Sequence, residues 1–276
     1  MASNGFDQGK KMIDGIQSAR LKLLRASEDI KTIKSLVGTY AASEPWRIVV
    51  EPNGKERITV THDPPADISI LGGEALYQVR SALDHLAFSL IKANPNGITL
   101  HPGWEANCAF PLKHLLPKSI QNPPVPYGHK SFSTCLPGIA NAPFTFIERQ
   151  QPYYKSGLNN TALRILSVLS NIDKHRHLNL TVTRIRKKEE ILFDSGAEHG
   201  SWHILNNQAE LESVIGTDYP MGRAVKTERS FTPFVTFDES ALGDAGTMPV
   251  EVALMLCAYT VDTVILPTLE TFIQKP

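Results

Sequence analysis

The chain has 276 residues, and its 28 Lys+Arg balance 28 Asp+Glu, so the formal net charge is zero. Apolar residues at 42% and charged residues at 20% fit a globular protein with its own core and exclude disorder over most of the length. Three cysteines without a CxxC pair exclude a disulfide scaffold and a Cys-rich zinc site. The start MASNGFDQGKK has no apolar run, which points to a reducing cytoplasm.

The first element is a long helix over about 6–40. Met12, Ile16, Ala19, Leu23, Ala26, Ile30 and Ile33 recur at three- and four-residue steps, and Ser43 and Pro45 close the run. WRIVV and ERITV flank Asn53-Gly54 and read as a hairpin with a type I′ turn. A second helix covers about 68–93, with Ala75, Leu76, Val79, Leu83, Leu86 and Leu90 as its apolar stripe. Residues 95–157 read as a Pro-rich cover, since 10 of the 19 prolines lie between 95 and 152. A brief strand near 109–111 and a short helix near 144–151 are expected inside it, with aromatics such as Trp104, Phe132, Phe144 and Tyr153 as anchors.

A third helix covers about 160–175. A β-rich insert over 178–237 follows, in which LNLTVTRIRKK, EEILFD, WHIL and RAVKTERSFTPFVTF carry the strand signal. A last helix over 249–273 is apolar on most sides, so it is expected at the centre, with a kink at Pro267. Its most apolar stretch, 252–266, contains Asp262 and is shorter than a membrane span, so no membrane partner is expected. The pattern predicts an α+β fold: a four-helix core, an antiparallel hairpin after helix one, and an antiparallel sheet between helices three and four, in one interleaved domain over 1–276.

Two polar stretches stand out. In Tyr77-Gln-Val-Arg80-Ser-Ala-Leu-Asp84-His85, helical steps put Tyr77, Arg80, Ser81 and Asp84 on one face, where Arg80 and Asp84 can pair. His85 lies about 140° around the helix from Arg80, so gripping one small group with both needs a second element or a second subunit. In Asn171-Ile-Asp-Lys174-His175-Arg176-His177, the cations suit a helix C-terminus, and they also suit a phosphate. Packing of helices two and three side by side would bring Asp84 or His85 near Lys174 or His175. Arg184, Arg186, Lys187 and Lys188 extend the positive charge along a strand. Residues 1–188 hold 24 Lys+Arg against 14 Asp+Glu and residues 189–276 hold 4 against 14, which suits either a polyanion-binding face or an internally complementary surface.

Arg80-x4-His85 on a helix within a helical bundle resembles the Rx4-6H signature of the HEPN superfamily, and RSALDHLA followed by NIDKHRHL resembles a pairing found in bacterial proteins. The HEPN resemblance implies an RNA-directed protein, either a metal-independent endoribonuclease or a non-catalytic relative, working as a homodimer. It implies that Arg80 steadies a phosphate and His85 moves a proton, with Asp84 beside them. Tyr77, Asn171, Lys174, His175 and Arg176 are the candidate substrate contacts. No cofactor and no metal is expected: His175-x-His177 is a sparse ligand pattern, and His199 and His203 are read as loop histidines. Cys108 and Cys135, near His101, His114 and His129, are read as ordinary residues. The competing reading is a non-catalytic interaction or ligand-binding protein in which Arg80 and Asp84 belong to a structural polar network.

Overall fold

The structure, a computed structural model, describes residues 14–93, 97, 99–113, 132–154, 157–206, 208–211 and 217–273. It is a mixed helical and antiparallel-sheet protein of the α+β class. The chain divides into two compact units, one built from 1–25, 78–163 and 258–276, the other from 26–77 and 164–257. Each is therefore assembled from separated stretches of sequence.

Helix α1 spans Gly15–Ala42. Asp14 caps it, its carboxylate accepting the Gln17 N–H at 2.7 Å. At the other end the Ser43 hydroxyl donates to the Tyr40 carbonyl, and Glu44 turns the chain at φ 50° before Pro45. The predicted start near residue 6 lies outside the described residues. Strands β1 (Trp46–Val50) and β2 (Glu56–Val60) pair antiparallel, Trp46 opposite Val60 and Val50 opposite Glu56. The turn differs from the expected type I′. The Gly54 N–H donates to the Glu51 carbonyl, and positive φ falls on Gly54 alone, at 81°. Pro52 accounts for this: a type I′ turn on Asn53-Gly54 would need a Pro52 N–H to bond Lys55, and proline has none. The chain therefore turns one residue earlier with Pro52 at the first central position, where φ near −65° fits.

Helix α2 (Ala66–Ala93) starts directly after Pro64-Pro65, with Asp67 in its first turn where the helix dipole favours an acid. Ala75, Leu76, Val79, Leu83, Leu86 and Leu90 are buried, as their spacing predicts. Within the Pro-rich stretch, residues 109–111 form no strand. The Ala109 N–H donates to the Cys135 carbonyl, a single rung among the described residues. Short helices α3 (Phe132–Cys135) and α4 (Asn141–Arg149) follow. The aromatics act as anchors there: Phe132 meets Phe144 edge-on, and Trp104 stacks on Phe88 with centroids 5.2 Å apart.

Helix α5 spans Leu158–Asp173. The β-rich insert contains β3 (Leu180–Phe193), β4 (Glu198–Asn206), β5 (Glu210–Leu211), β6 (Asp218–Tyr219) and β7 (Gly222–Phe237). What reads as two strands at 178–188 and 189–194 is one continuous strand, β3. The sheet order is β4-β3-β7-β6, all antiparallel, and β5 joins the hairpin instead, giving β1-β2-β5.

The last helix runs from Val250 to Ile273 as α6 (Val250–Thr260), a wide π-turn at Val261–Ile265, and α7 (Leu266–Ile273). Pro267 cannot donate to the Thr263 carbonyl, and its ring crowds that group, so the backbone widens one turn earlier. The 24-residue helix is longer than the apolar stretch suggests, and by length and composition it could cross a membrane. Val250, Ala253, Leu254, Cys257 and Val261 are buried, whereas Met255 and Tyr259 are more than half exposed. Burial is thus confined to one face, although the sequence is apolar on most sides.

Candidate functional site

Within the first unit, the Arg80–Asp84 part of the polar face of α2 is covered by the chain around Phe110. Arg80 Nη2 donates to the Phe110 carbonyl at 2.7 Å, and the Phe110 N–H donates to Asp84 Oδ1 at 2.9 Å. The two side chains also pair with each other at 3.2 Å. Phe110 itself is fully buried. Both backbone groups of Phe110, which lies outside any strand, are met by the ion pair of α2. That is a sufficient structural use for both charges, because an unmet buried backbone group is costly. On the shared face of Tyr77, Arg80, Ser81 and Asp84, Tyr77 is 62% exposed, whereas Arg80 is four-fifths covered. Helical periodicity places residues on a face, and only the covering segment decides whether that face is wet.

His85 does something different. Its Nδ1 lies 2.8 Å from the Ser18 hydroxyl of α1. The pair sits in a cleft of about 830 Å³ whose walls include Ile16, Phe88 and Ile273, with Asp14, Asp84, Ser89 and Lys92 as further polar members. Burial, and then the positive charge of Lys22, push the imidazole pKa below its ordinary value, and Asp84 pulls the other way. The close approach of α1 to α2 depends on Gly15. A Cβ there would run into the Ser89 hydroxyl and lie 3.1 Å from the His85 carbonyl. Ser18 carries no motif in the sequence, and the glycine at the helix start is the one local hint of this meeting. Cys108 also lines the cleft, and burial with the nearby Asp84 pushes its thiol up to about 12, so it stays protonated. His101 is exposed and bonds its neighbour Pro102, while His114 and His129 lie outside the described residues.

The second polar stretch belongs to the other unit. Helix α5 ends at Asp173, so Lys174, His175 and Arg176 follow the helix rather than filling its last turn. Arg176 makes two bonds to the buried carboxylate of Glu239, at 3.1 and 2.7 Å, and Glu239 also accepts the Asn179 N–H. Asn171, Lys174 and His175 are exposed. Helices α2 and α5 do approach closely in this unit, at Gly73, where a Cβ would lie 2.7 Å from the Asp173 carboxyl carbon. Gly73 precedes Asp84 by eleven residues, about 16 Å of helix at 1.5 Å per residue. The sequence expectation of Asp84 or His85 beside Lys174 or His175 joins residues of two different units.

The basic strand is also divided. Lys187 and Glu189 alternate with Ile185 and Ile191 on the buried face of β3, and Lys187 Nζ bonds Glu189 at 3.2 Å. Arg229 links Glu189 to Glu56, each at 2.9 Å. Lys188 pairs with Glu190, and Arg186 lies over the Phe234 ring. His199 and His203 sit on strand β4, not in a loop. No group of three metal-ligating side chains occurs among the described residues. Comparison with protein families, with curated proteins and with solved structures finds no match for this chain.

Proposed function

We propose that this chain is a ligand-binding protein that holds a small organic molecule in the cleft beside His85, and that Arg80 and Asp84 are structural. The observation that carries this reading is the double hydrogen bond of the Arg80–Asp84 pair to Phe110, which commits both charges to the chain's own backbone. The cleft supports it, since about 830 Å³ falls within the range of small-molecule sites. Apolar walls with a few convergent polar groups suit a molecule with an apolar body and one hydrogen-bonding head.

The second reading is the RNA-directed one: a metal-independent endoribonuclease acting as a homodimer, with Arg80 and His85 at its centre. In its favour stands His85, an imidazole in an open cleft held towards its neutral form. It requires a guanidinium free to meet a phosphate, and Arg80 is already engaged.

The two readings separate in one set of measurements. Titration with 8-anilinonaphthalene-1-sulfonate should give saturable 1:1 fluorescence enhancement, lost in Ala93→Trp, which fills the cleft, with unchanged thermal unfolding. Mixed RNA in the presence of chelator should stay intact. Cleavage by the wild type that disappears in Arg80→Ala with the fold retained would reverse the order of the two readings.

A further inference from the structure

We propose that Ser18 and His85 form a nucleophile–base pair that hydrolyses carboxylic esters bound in the cleft. This rests on the ligand-binding reading and adds chemistry to it. Nucleophilic catalysis by serine needs a base within hydrogen-bond reach of its oxygen, in a site a substrate can enter. The 2.8 Å separation of Ser18 Oγ from His85 Nδ1 meets the first condition, and the cleft meets the second. A hydroxyl that merely satisfied a core histidine would not need a cleft of about 830 Å³ at the contact.

The charge state also suits the role. An imidazole whose pKa is lowered by burial is neutral at neutral pH and can accept a proton. Acceptance at Nδ1 places the resting proton on Nε2. Gly15 and Ile16, in the first turn of α1, also line the cleft, and N–H groups at that position have no intrahelical acceptor. They are the chain's candidates for an oxyanion in this proposal. Cys108, with its thiol held protonated, is a poorer nucleophile in the same cleft.

The steps balance with water as the only co-reactant. Ser18 Oγ bonds to the acyl carbon as its proton passes to His85 Nδ1. The bond from that carbon to the alcohol oxygen breaks, and the imidazolium returns its proton to the departing oxygen. Water then adds to the acyl-serine, giving its proton to Nδ1, and Ser18 leaves and takes that proton back. Ester and water become acid and alcohol. Apolar walls at Ile16, Phe88 and Ile273 favour an aliphatic or aromatic acyl group.

The test uses the full chain with 4-nitrophenyl butyrate, followed by release of 4-nitrophenolate. Wild type should turn over, and Ser18→Ala should lose at least about 100-fold, because the nucleophile that takes the acyl group is gone. His85→Gln should lose a similar factor. A fluorophosphonate probe should add one label, mapped to Ser18 by peptide mass spectrometry, and the label should be absent in Ser18→Ala. The pH–rate profile of the wild type should rise with an apparent pKa below 6.5. Hydrolysis unchanged in Ser18→Ala, or wild type that neither hydrolyses the ester nor takes the label, would overturn the proposal. Binding of 8-anilinonaphthalene-1-sulfonate is read in the same samples and decides the ligand-binding reading separately. A chain that binds the dye but leaves ester and probe untouched keeps its cleft and loses its chemistry.

Discussion

Arg80 and Asp84, one helical turn apart on α2, hold the two backbone polar groups of the same residue, Phe110. The consequence is a stability role that can be measured. Arg80→Ala leaves the Phe110 carbonyl without its donor and should cost about 1–3 kcal/mol, the penalty of an unmet buried acceptor. Asp84→Asn should cost less than Asp84→Ala, because an amide oxygen can still accept the Phe110 N–H. Denaturant unfolding of the three variants checks the order.

His85 ties stability to pH. Its folded-state pKa lies below the ordinary value, with burial as the leading cause. Between that lowered pKa and about 6.5 the unfolded chain binds more protons than the folded one, so stability rises with pH. The contribution is fully present above about pH 6.5 and is lost as pH falls through the folded pKa. His85→Gln should flatten this part of the curve. Unfolding free energies of wild type and variant between pH 5 and pH 8 test it, and parallel curves would refute the assignment.

Gly73 is needed where α2 meets α5. A Cβ at this position would collide with the Asp173 carboxylate, whose pKa is already raised by burial. Gly73→Ala should destabilise by about 1–3 kcal/mol, as overpacking does. Gly73→Ala combined with Asp173→Ala should recover part of that loss, since the second change removes the obstructing group. Additive losses in the double-mutant cycle would show that the two residues do not interact.

Glu189 is the hub of a buried ionic chain, bonded to Lys187 and to Arg229. Glu189→Ala leaves Lys187 buried without its carboxylate and should cost about 3–5 kcal/mol. Replacing Lys187 and Glu189 together by Met and Leu should cost much less, because no charge is then stranded. Thermal unfolding of the single and double variants distinguishes these outcomes.

Local pattern carried much of this protein. The stripe of Leu76, Val79, Leu83, Leu86 and Leu90 predicts the buried face of α2, and alternation of Ile185, Ile191 and Phe193 predicts the inward face of β3. That same alternation places Lys187 and Glu189 inside, so the division of the basic strand was legible, although its partners were not. Arg229 and Glu56 are 40 and 133 residues away from Glu189, and nothing in the neighbourhood of a strand names the residue opposite it on another. The α+β class, the hairpin and the order of elements followed from periodicity and turn residues, which act over a few positions. Pro52 changed the hairpin turn through a constraint equally local. The site was different. Whether Arg80 and Asp84 serve a phosphate or a structural network was open because their cover, Phe110, lies 26 to 30 residues on, and a helix wheel contains no information about what packs over it. Ser18 and His85 meet across 67 positions, through a close approach that Gly15 permits. Such meetings depend on non-local packing, where the whole core fixes which side chains share a cleft, so tertiary structure alone decided them.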